Sequence, residues 1–232
     1  MNLLLLMTAT IDPGRPHFVV VDDPWTRLRQ YVTSLILWAR LRLFSWIVFC
    51  ENSHHLIRLD PLVQIAEAYG SSDLEILRIH DNSGSWIHGK SWGEARLIEA
   101  ALTRSRLLQK TERFWKVTGR LFVTNARRLV ELHLSDPNVL DGGETRFFKA
   151  DKGFFSRNIL PMYARIHEPE GRTIEWVHSH ALQAPGVRDS VVGFREPPIF
   201  VGQCGGTGQI YGPVPEDASR EAERWIAAFE HN

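Results

Sequence analysis

Residues 3 to 11 read LLLLMTATI, a continuous apolar run that stops at Asp12, Pro13 and Gly14. A strand with one face in water alternates apolar and polar residues. An unbroken run suits a strand covered on both faces, as in a parallel sheet flanked by helices. The chain continues in that rhythm. Asp23 and Pro24 make a helix start, with Asp as N-cap and Pro at the first helical position, and Trp25, Leu28, Val32, Leu35 and Ala39 follow at helical spacing. SWIVFCENS (45–53) returns to strand character, Leu62 to Tyr69 reads as helix and Leu74 to Ile79 as a third strand. Glu94 to Leu108 is the best helix former of the chain, and RFWKVTGRLFVTN (113–125) is strand-like. The pattern predicts an α/β fold, Rossmann-like, with a largely parallel central sheet flanked by helices. Ligands of such sheets bind outside the carboxyl ends of the strands, which brings Asp12, residues 51–53 and the loop 80–93 towards one another.

The second half is less regular. TRFFKADKGFF (145–155) reads as strand and turn, IEWVHSHAL (174–182) as a short helix and 185–212 as loop-rich chain. An amphipathic helix over 215–232 closes the sequence, with Ala222, Trp225, Ile226 and Phe229 on one face. No internal repeat, low-complexity tract or linker interrupts the 232 residues, so a single domain over 1–232 is expected.

Lys plus Arg and Asp plus Glu are both 27, which leaves no global basic field for nucleic acid. An anionic ligand must therefore be held locally. Cys50 and Cys204 form no C-x-x-C pair, which points to a reducing, cytoplasmic setting. Leu3 to Met7 is too short for a signal-peptide core, and the apolar region 34–50 is broken by Arg40 and Arg42, so no spanning segment is expected and any membrane contact is peripheral.

The stretch GSWIHGKSWGE (84–94) matches G-x-x-x-x-G-K-[ST] through Gly84, Gly89, Lys90 and Ser91. A P-loop needs a tight turn directly after a buried strand. Here HDNS separates strand from glycine, the loop carries bulky Trp86, Ile87 and His88, and no apolar run ending in a magnesium-binding Asp follows. A P-loop kinase or NTPase is nevertheless one reading, and a non-catalytic nucleotide or carbohydrate binder is another.

A third reading covers more of the chain. CENS (50–53), GKSWGEA (89–95), WKVTGR (115–120), ETRFFKADKGFF (144–155), IEWV (174–177) and GQCGGTG (202–208) occur in this order. The series resembles small bacterial glycosyltransferases of surface-polysaccharide (capsule and O-antigen) biosynthesis, whose members carry ENS, GKGYGEG, KITGR, DTRFF, an LE before a helix, and SGSTG. The resemblance spans about residues 3 to 212. It implies a GT-A-type domain and a nucleotide-sugar-dependent transferase of the hexosyltransferase type. It also implies a growing, lipid-linked glycan as acceptor, and work at the inner face of the cytoplasmic membrane. In this frame Lys90, Gly93 and Glu94, with Gly89, line a nucleotide-sugar pocket. Thr10 and Asp12 belong to the same donor site.

Transfer from a nucleotide diphosphate needs a counter-charge for the leaving group and, for inversion, a carboxylate that deprotonates the acceptor. The usual GT-A-type enzyme holds a metal on Asp-x-Asp after a central strand, and this chain contains no Asp-x-Asp. Lys116, Thr118, Gly119 and Arg120 stand at the comparable place, so the expectation is a metal-independent enzyme without a cofactor, with Arg120 or Lys116 in the metal's role. Both cations could instead lie on a solvated sheet edge. Glu51 and Asn52, at a strand end, either read a base or sugar hydroxyl or form a turn. Glu94 either lines the pocket or caps a helix, and Lys90 either reaches a phosphate or is solvated. Glu175, matching the family's LE, is the first choice for the base. Glu144, standing for the Asp of DTRFF, is the second. Arg146 holds a donor or acceptor group or pairs within its strand.

The segment 202–208 would close over the donor with Thr207 and its backbone N–H groups, with Cys204 and Gly206 standing where the family has serines. Cys204 has no His paired in the local sequence and is not expected to be a nucleophile. His54 and His55 are adjacent and His178 and His180 two apart, which does not suit a metal site. Trp38, Phe44 and Trp46 serve either the core or an interface.

Overall fold

The structure, a computed structural model, describes residues 2–14, 19–53, 57–70 and 73–230. His54, His55 and the last two positions of the predicted C-terminal helix lie outside the described residues. The first half runs β1 (Leu4–Ala9), α1 (Pro24–Leu41), β2 (Trp46–Glu51), α2 (Asp60–Tyr69), β3 (Asp73–Arg78), a turn of helix α3 (Ser85–His88), α4 (Lys90–Arg104), a short α5 (Arg106–Gln109) and β4 (Arg113–Thr118). After it come β5 (Leu121–Val123), α6 (Ala126–Leu132), β6 (Val139–Asp141), β7 (Glu144–Asp151), α7 (Lys152–Asn158), α8 (Ile174–Leu182), β8 (Phe200–Gln203), β9 (Ile210–Gly212) and α9 (Glu216–Glu230).

The main sheet has the order β3-β2-β1-β4-β7-β6. Its first four strands are mutually parallel, and β7 runs antiparallel to both β4 and β6. β1 sits in the middle and explains its own composition. Leu5 and Met7 join a core under α1, α2 and α9, while Leu4 and Leu6 join a second core under α4, α7 and α8. With both faces covered, no position on the strand favours a polar side chain facing water.

Asp23 caps α1 by accepting from Thr26 N at 2.6 Å, as its position before Pro24 predicts. Trp38 on α1 is fully buried, lies edge-on to Phe44 and Phe122 and donates from Nε1 to Leu121 O, so both Trp38 and Phe44 belong to the core. α9 packs its buried Ala222, Ile226 and Phe229 into the same core, and Arg40 ties α1 to Asp217 and Glu221. No helix among the described residues is long and apolar enough to cross a membrane.

Three departures from the sequence pattern have local causes. The helix read over 94–108 begins earlier, at Lys90, and breaks at Ser105, because Glu75 of β3 accepts from Ser105 Oγ, Arg106 N and Leu107 N and starts a new helix there. The strand read over 113–125 breaks after Thr118. Gly119 N donates to Thr8 O at 2.9 Å, and a Cβ on Gly119 would stand 2.7 Å from that oxygen, so only glycine lets the chain turn this close to β1. The chain then leaves the main sheet and forms β5 of a second sheet, ordered β5-β8-β9. The turn read after β7 is the helix α7, capped by Asp151 through Phe154 N at 2.8 Å.

Candidate active site

At the carboxyl ends of β1 and β4 lies a cavity of about 420 Å³. Thr8 and Thr10 come from the end of β1, Thr118 and Arg120 from the turn after β4, and Thr145 and Arg146 from β7. Lys90, Ser91 and Glu94 reach it from the first turn and a half of α4, Glu175 from the start of α8, and Cys204, Gly205 and Gly206 from the loop after β8. The break at Gly119 is what places Arg120 on this wall instead of in the sheet.

The two cations of the KVTGR stretch have different surroundings. Lys116 is 0% exposed and absent from the lining; its Nζ donates to Glu94 Oε1, to Thr145 O at 2.8 Å and to Thr118 Oγ1 at 3.2 Å. Glu94 also accepts from Thr8 and Thr118 hydroxyls, both at 3.2 Å. Burial alone would raise the Glu94 carboxyl, but the Lys116 charge and these hydrogen bonds outweigh it and hold it below the usual range. Lys116 and Glu94 thus form a compensated pair beneath the cavity, with Glu94 at its surface.

Arg120 is 7% exposed and lines the cavity, and no carboxylate pairs with it among the described residues. Its Nη1 donates to Gln30 Oε1 at 3.1 Å, and its Nε is buried without a partner. Gln30 in turn donates to Gln203 Oε1 at 2.8 Å, and Gln203 to Gly208 O at 2.8 Å, so the guanidinium is tied to the loop after β8. A Cβ on Gly205 would overlap Arg120 Nη2, and one on Gly206 would overlap Lys90 Nζ. The glycine pair of GQCGGTG is therefore the surface against which two cations rest. The N–H groups of residues 20 and 21 fasten the loop by donating to Gly205 O and Gly206 O.

Arg146 lies between the rings of Phe200 and Tyr211, 4.4 and 4.7 Å from their centroids, and pairs with Glu144 through both ends of its guanidinium. The Glu144 hydrogen bonds hold the Arg146 pKa above its ordinary value. Glu144 is engaged there and does not line the cavity, whereas Glu175 does, with Oε1 accepting from Thr145 Oγ1 at 2.8 Å. Between the two candidate bases, only Glu175 faces the cavity.

Other sequence candidates shape the wall from behind. Glu51 is fully buried and accepts from Ile11 N at 3.2 Å, Ser53 N at 2.8 Å and the Ser53 hydroxyl. Burial raises its carboxyl above the usual range. Asn52 accepts from Thr10 Oγ1 at 2.6 Å and donates to Asn82 Oδ1 and Gly93 O. Gly93 is needed for this approach, since a Cβ there would come within 2.6 Å of Asn82 Oδ1. Gly119 acts through Thr8, as described above. Asp12 accepts from Gly14 N at 2.9 Å and faces a separate cavity. Thr207 supports Cys204: burial alone would raise that thiol, but hydrogen bonds from Thr207 and from Gly206 N–H, with Lys90 nearby, lower it to about 7. Among the described residues no cluster of three or more His, Cys, Asp or Glu could hold a metal ion. His178 is buried against Tyr163 Oη at 3.0 Å, and burial lowers it to about 3.

The P-loop reading fails on geometry. The helical turn α3 occupies the loop, and the amides at the start of α4 are already taken: Lys90 N and Ser91 N donate to Glu168 at 2.8 and 3.2 Å, as does Ser91 Oγ. Glu168 carries no motif in the sequence, Gln30 did not stand out there, and Gln203 was read only as part of GQCGGTG. Thr8 could have been suspected from its place at a strand end, and Ser91 was read only as the last residue of the P-loop pattern. Thr145 lies within the ETRFF stretch itself.

No family model and no curated protein matches the chain. Among solved structures, core-mannan synthase A from Aspergillus fumigatus, in a form with manganese and GDP, is 12% identical, with 99% of this chain and 85% of that one covered and a TM-score of 0.48. HddC from Yersinia pseudotuberculosis is 10% identical, with 96% and 99% covered and a TM-score of 0.48. Likeness at this level speaks to neither ligand nor reaction.

Proposed function

We propose that the chain is a nucleotide-sugar-dependent glycosyltransferase of the hexosyltransferase type, a single catalytic domain over 1–232 that needs no bound divalent metal. The observation that carries this reading is Arg120, a nearly buried guanidinium with no carboxylate partner among the described residues, set between a cavity and Gly205. A buried cation without a counter-ion is costly, and an anion that visits the cavity offsets that cost. The leaving diphosphate of a sugar nucleotide is such an anion. Arg120 takes it from one side and Lys90 from the other, and Gly205 and Gly206 leave the room in which the two cations stand.

In an inverting transfer Glu175 takes the acceptor's hydroxyl proton as the acceptor oxygen attacks the anomeric carbon. As the new bond forms the sugar–phosphate bond breaks, and its electron pair leaves with the diphosphate. Thr145 orients Glu175 through its hydroxyl. The motif series supports a growing, lipid-linked surface glycan as the acceptor, met at the inner face of the cytoplasmic membrane.

The test is a thermal-shift panel of UDP-, GDP-, CMP- and dTDP-linked sugars beside ATP, each with EDTA and with magnesium or manganese. One sugar nucleotide should stabilise the protein equally well in EDTA, and Arg120→Ala should abolish its shift. Stabilisation only by ATP with magnesium, or only by a metal-bound sugar nucleotide, would overturn the reading.

A further inference from the structure

The bulky residues of the loop before α4 play no part in the cavity above. Trp86, on α3, is 63% exposed, and its indole packs on Gly14, where a Cβ would lie 3.5 Å from Nε1. Beside it lies a second cavity of about 340 Å³, lined by Asp12, Pro13, Gly14, Asn82, Ser83 and Trp86. No described residue lines both cavities.

The second cavity is nevertheless wired to the first. Asp12 stands two positions after Thr10, which lines the main cavity, and Asn82 reaches Thr10 through Asn52. Asn82 Oδ1 is engaged by Asn52 Nδ2 and Ser85 Oγ, which turns the amide with its carbonyl oxygen inward. Gly14, at φ +65°, is held by the Asp12 carboxylate, so the platform under the indole is set by the backbone.

These groups have a definite chemistry. A large exposed indole offers an apolar face, and a carboxylate, an amide and a hydroxyl stand at its edge. Among the described residues no cation lines the cavity, and the Asp12 carboxylate that does line it repels a phosphate. We propose that this cavity is a subsite for an uncharged ring with one apolar face and a hydrogen-bonding edge, stacked on Trp86. A nucleobase of the donor and a pyranose of the acceptor glycan both have that chemistry. The binding stands on the cavity itself; only its role in transfer rests on the glycosyltransferase reading.

The test labels the intact protein with 5-fluorotryptophan and follows the Trp86 resonance, assigned with Trp86→Phe, by fluorine NMR. One arm adds uridine, guanosine, cytidine and thymidine. The other adds methyl glycosides of glucose, galactose, mannose and N-acetylglucosamine, together with maltotriose and chitotriose. A saturable shift in the nucleoside arm assigns the subsite to the donor base, and one in the glycoside arm assigns it to the acceptor. The responding ligand should bind about tenfold more weakly to Trp86→Ala than to wild type and nearly normally to Trp86→Tyr. Arg120→Ala should keep the response, because the ring carries no phosphate, and this separates the subsite from the leaving-group site. No saturable shift from any of these compounds, or a shift from inorganic diphosphate alone, would overturn the proposal. If Trp86 responds but no sugar nucleotide is turned over, the subsite survives and the transferase does not.

Discussion

Nη2 of Arg120 lies where the side chain of Gly205 would begin. The cation and the glycine come from different sheets, one from the turn after β4 and the other from the loop after β8, and each is shaped by the other's presence. Gly205→Ala must move the guanidinium, which is the far end of a flexible side chain, so the fold should lose little. Transfer should fall about tenfold with the melting temperature nearly unchanged, and Arg120→Ala should lower kcat about 10²-fold or more. Equal losses of activity and melting temperature in Gly205→Ala would mean that the loop is only structural.

Lys116 presents the opposite case, a fully buried cation already compensated by Glu94, whose side chain is 24% exposed at the cavity wall. Removing Lys116 takes the strongest partner from Glu94 but leaves cavity water within its reach, so Lys116→Met should cost less than breaking a fully buried pair, about 1–3 kcal/mol in urea unfolding. The double variant Lys116→Met with Glu94→Gln should recover a large part of that loss. Arg120→Met, which strands no carboxylate, should destabilise far less than Lys116→Met.

Two carboxyls, Glu94 and Glu51, predict opposite pH slopes. Glu94 has a lowered pKa in the folded protein, so its contribution is present above the unfolded value of about 4.3 and is lost as pH falls through the folded pKa. Glu51 has a raised pKa, so its ionisation erodes stability as pH rises from about 4.3 through the folded value. Unfolding free energies measured from pH 3 upward should lose the first slope in Glu94→Gln and the second in Glu51→Gln. An unchanged profile in either variant would refute that assignment.

Cys204 should react with iodoacetamide with a midpoint at about pH 7, set by its hydrogen bonds to Thr207 and Gly206. Thr207→Val removes the hydroxyl and should move the midpoint upward, towards the ordinary thiol value of about 8.5. A bound sugar nucleotide should slow the alkylation, since Cys204 lines the same cavity.

The parallel half of the fold was legible because β1 and β2 are continuous apolar runs closed by polar residues, and because Asp23 and Pro24 announce α1 locally. β8 and β9 were not, being strands of four and three residues inside a glycine- and proline-rich stretch. The break after Thr118 was hidden for another reason: apolar residues continue on both sides of it, and the cause is a carbonyl on β1 that sequence distance conceals. The site divides in the same way. The residue types were readable, and TGR lies in the turn that lines the cavity. Which cation faces the cavity was not readable, since Lys116 meets Glu94 from 22 positions away. Glu51 and Asn52 were correctly placed at a strand end, but they spend their polar atoms on neighbouring loops.

Glu168 supplies the cap of α4 from 78 positions further along the chain. A ribosome makes proteins in order, and at about 5–20 residues per second that gap lasts about 4–16 s. A nascent chain that has reached Asn158 already holds all six strands of the main sheet, yet the first turn of the helix beside its cavity still has bare amides. The parallel half can collapse during synthesis, but the start of α4 is capped only when the turn around residue 168 has emerged and folded back, and the cavity closes later still, when Gly205 and Gly206 arrive.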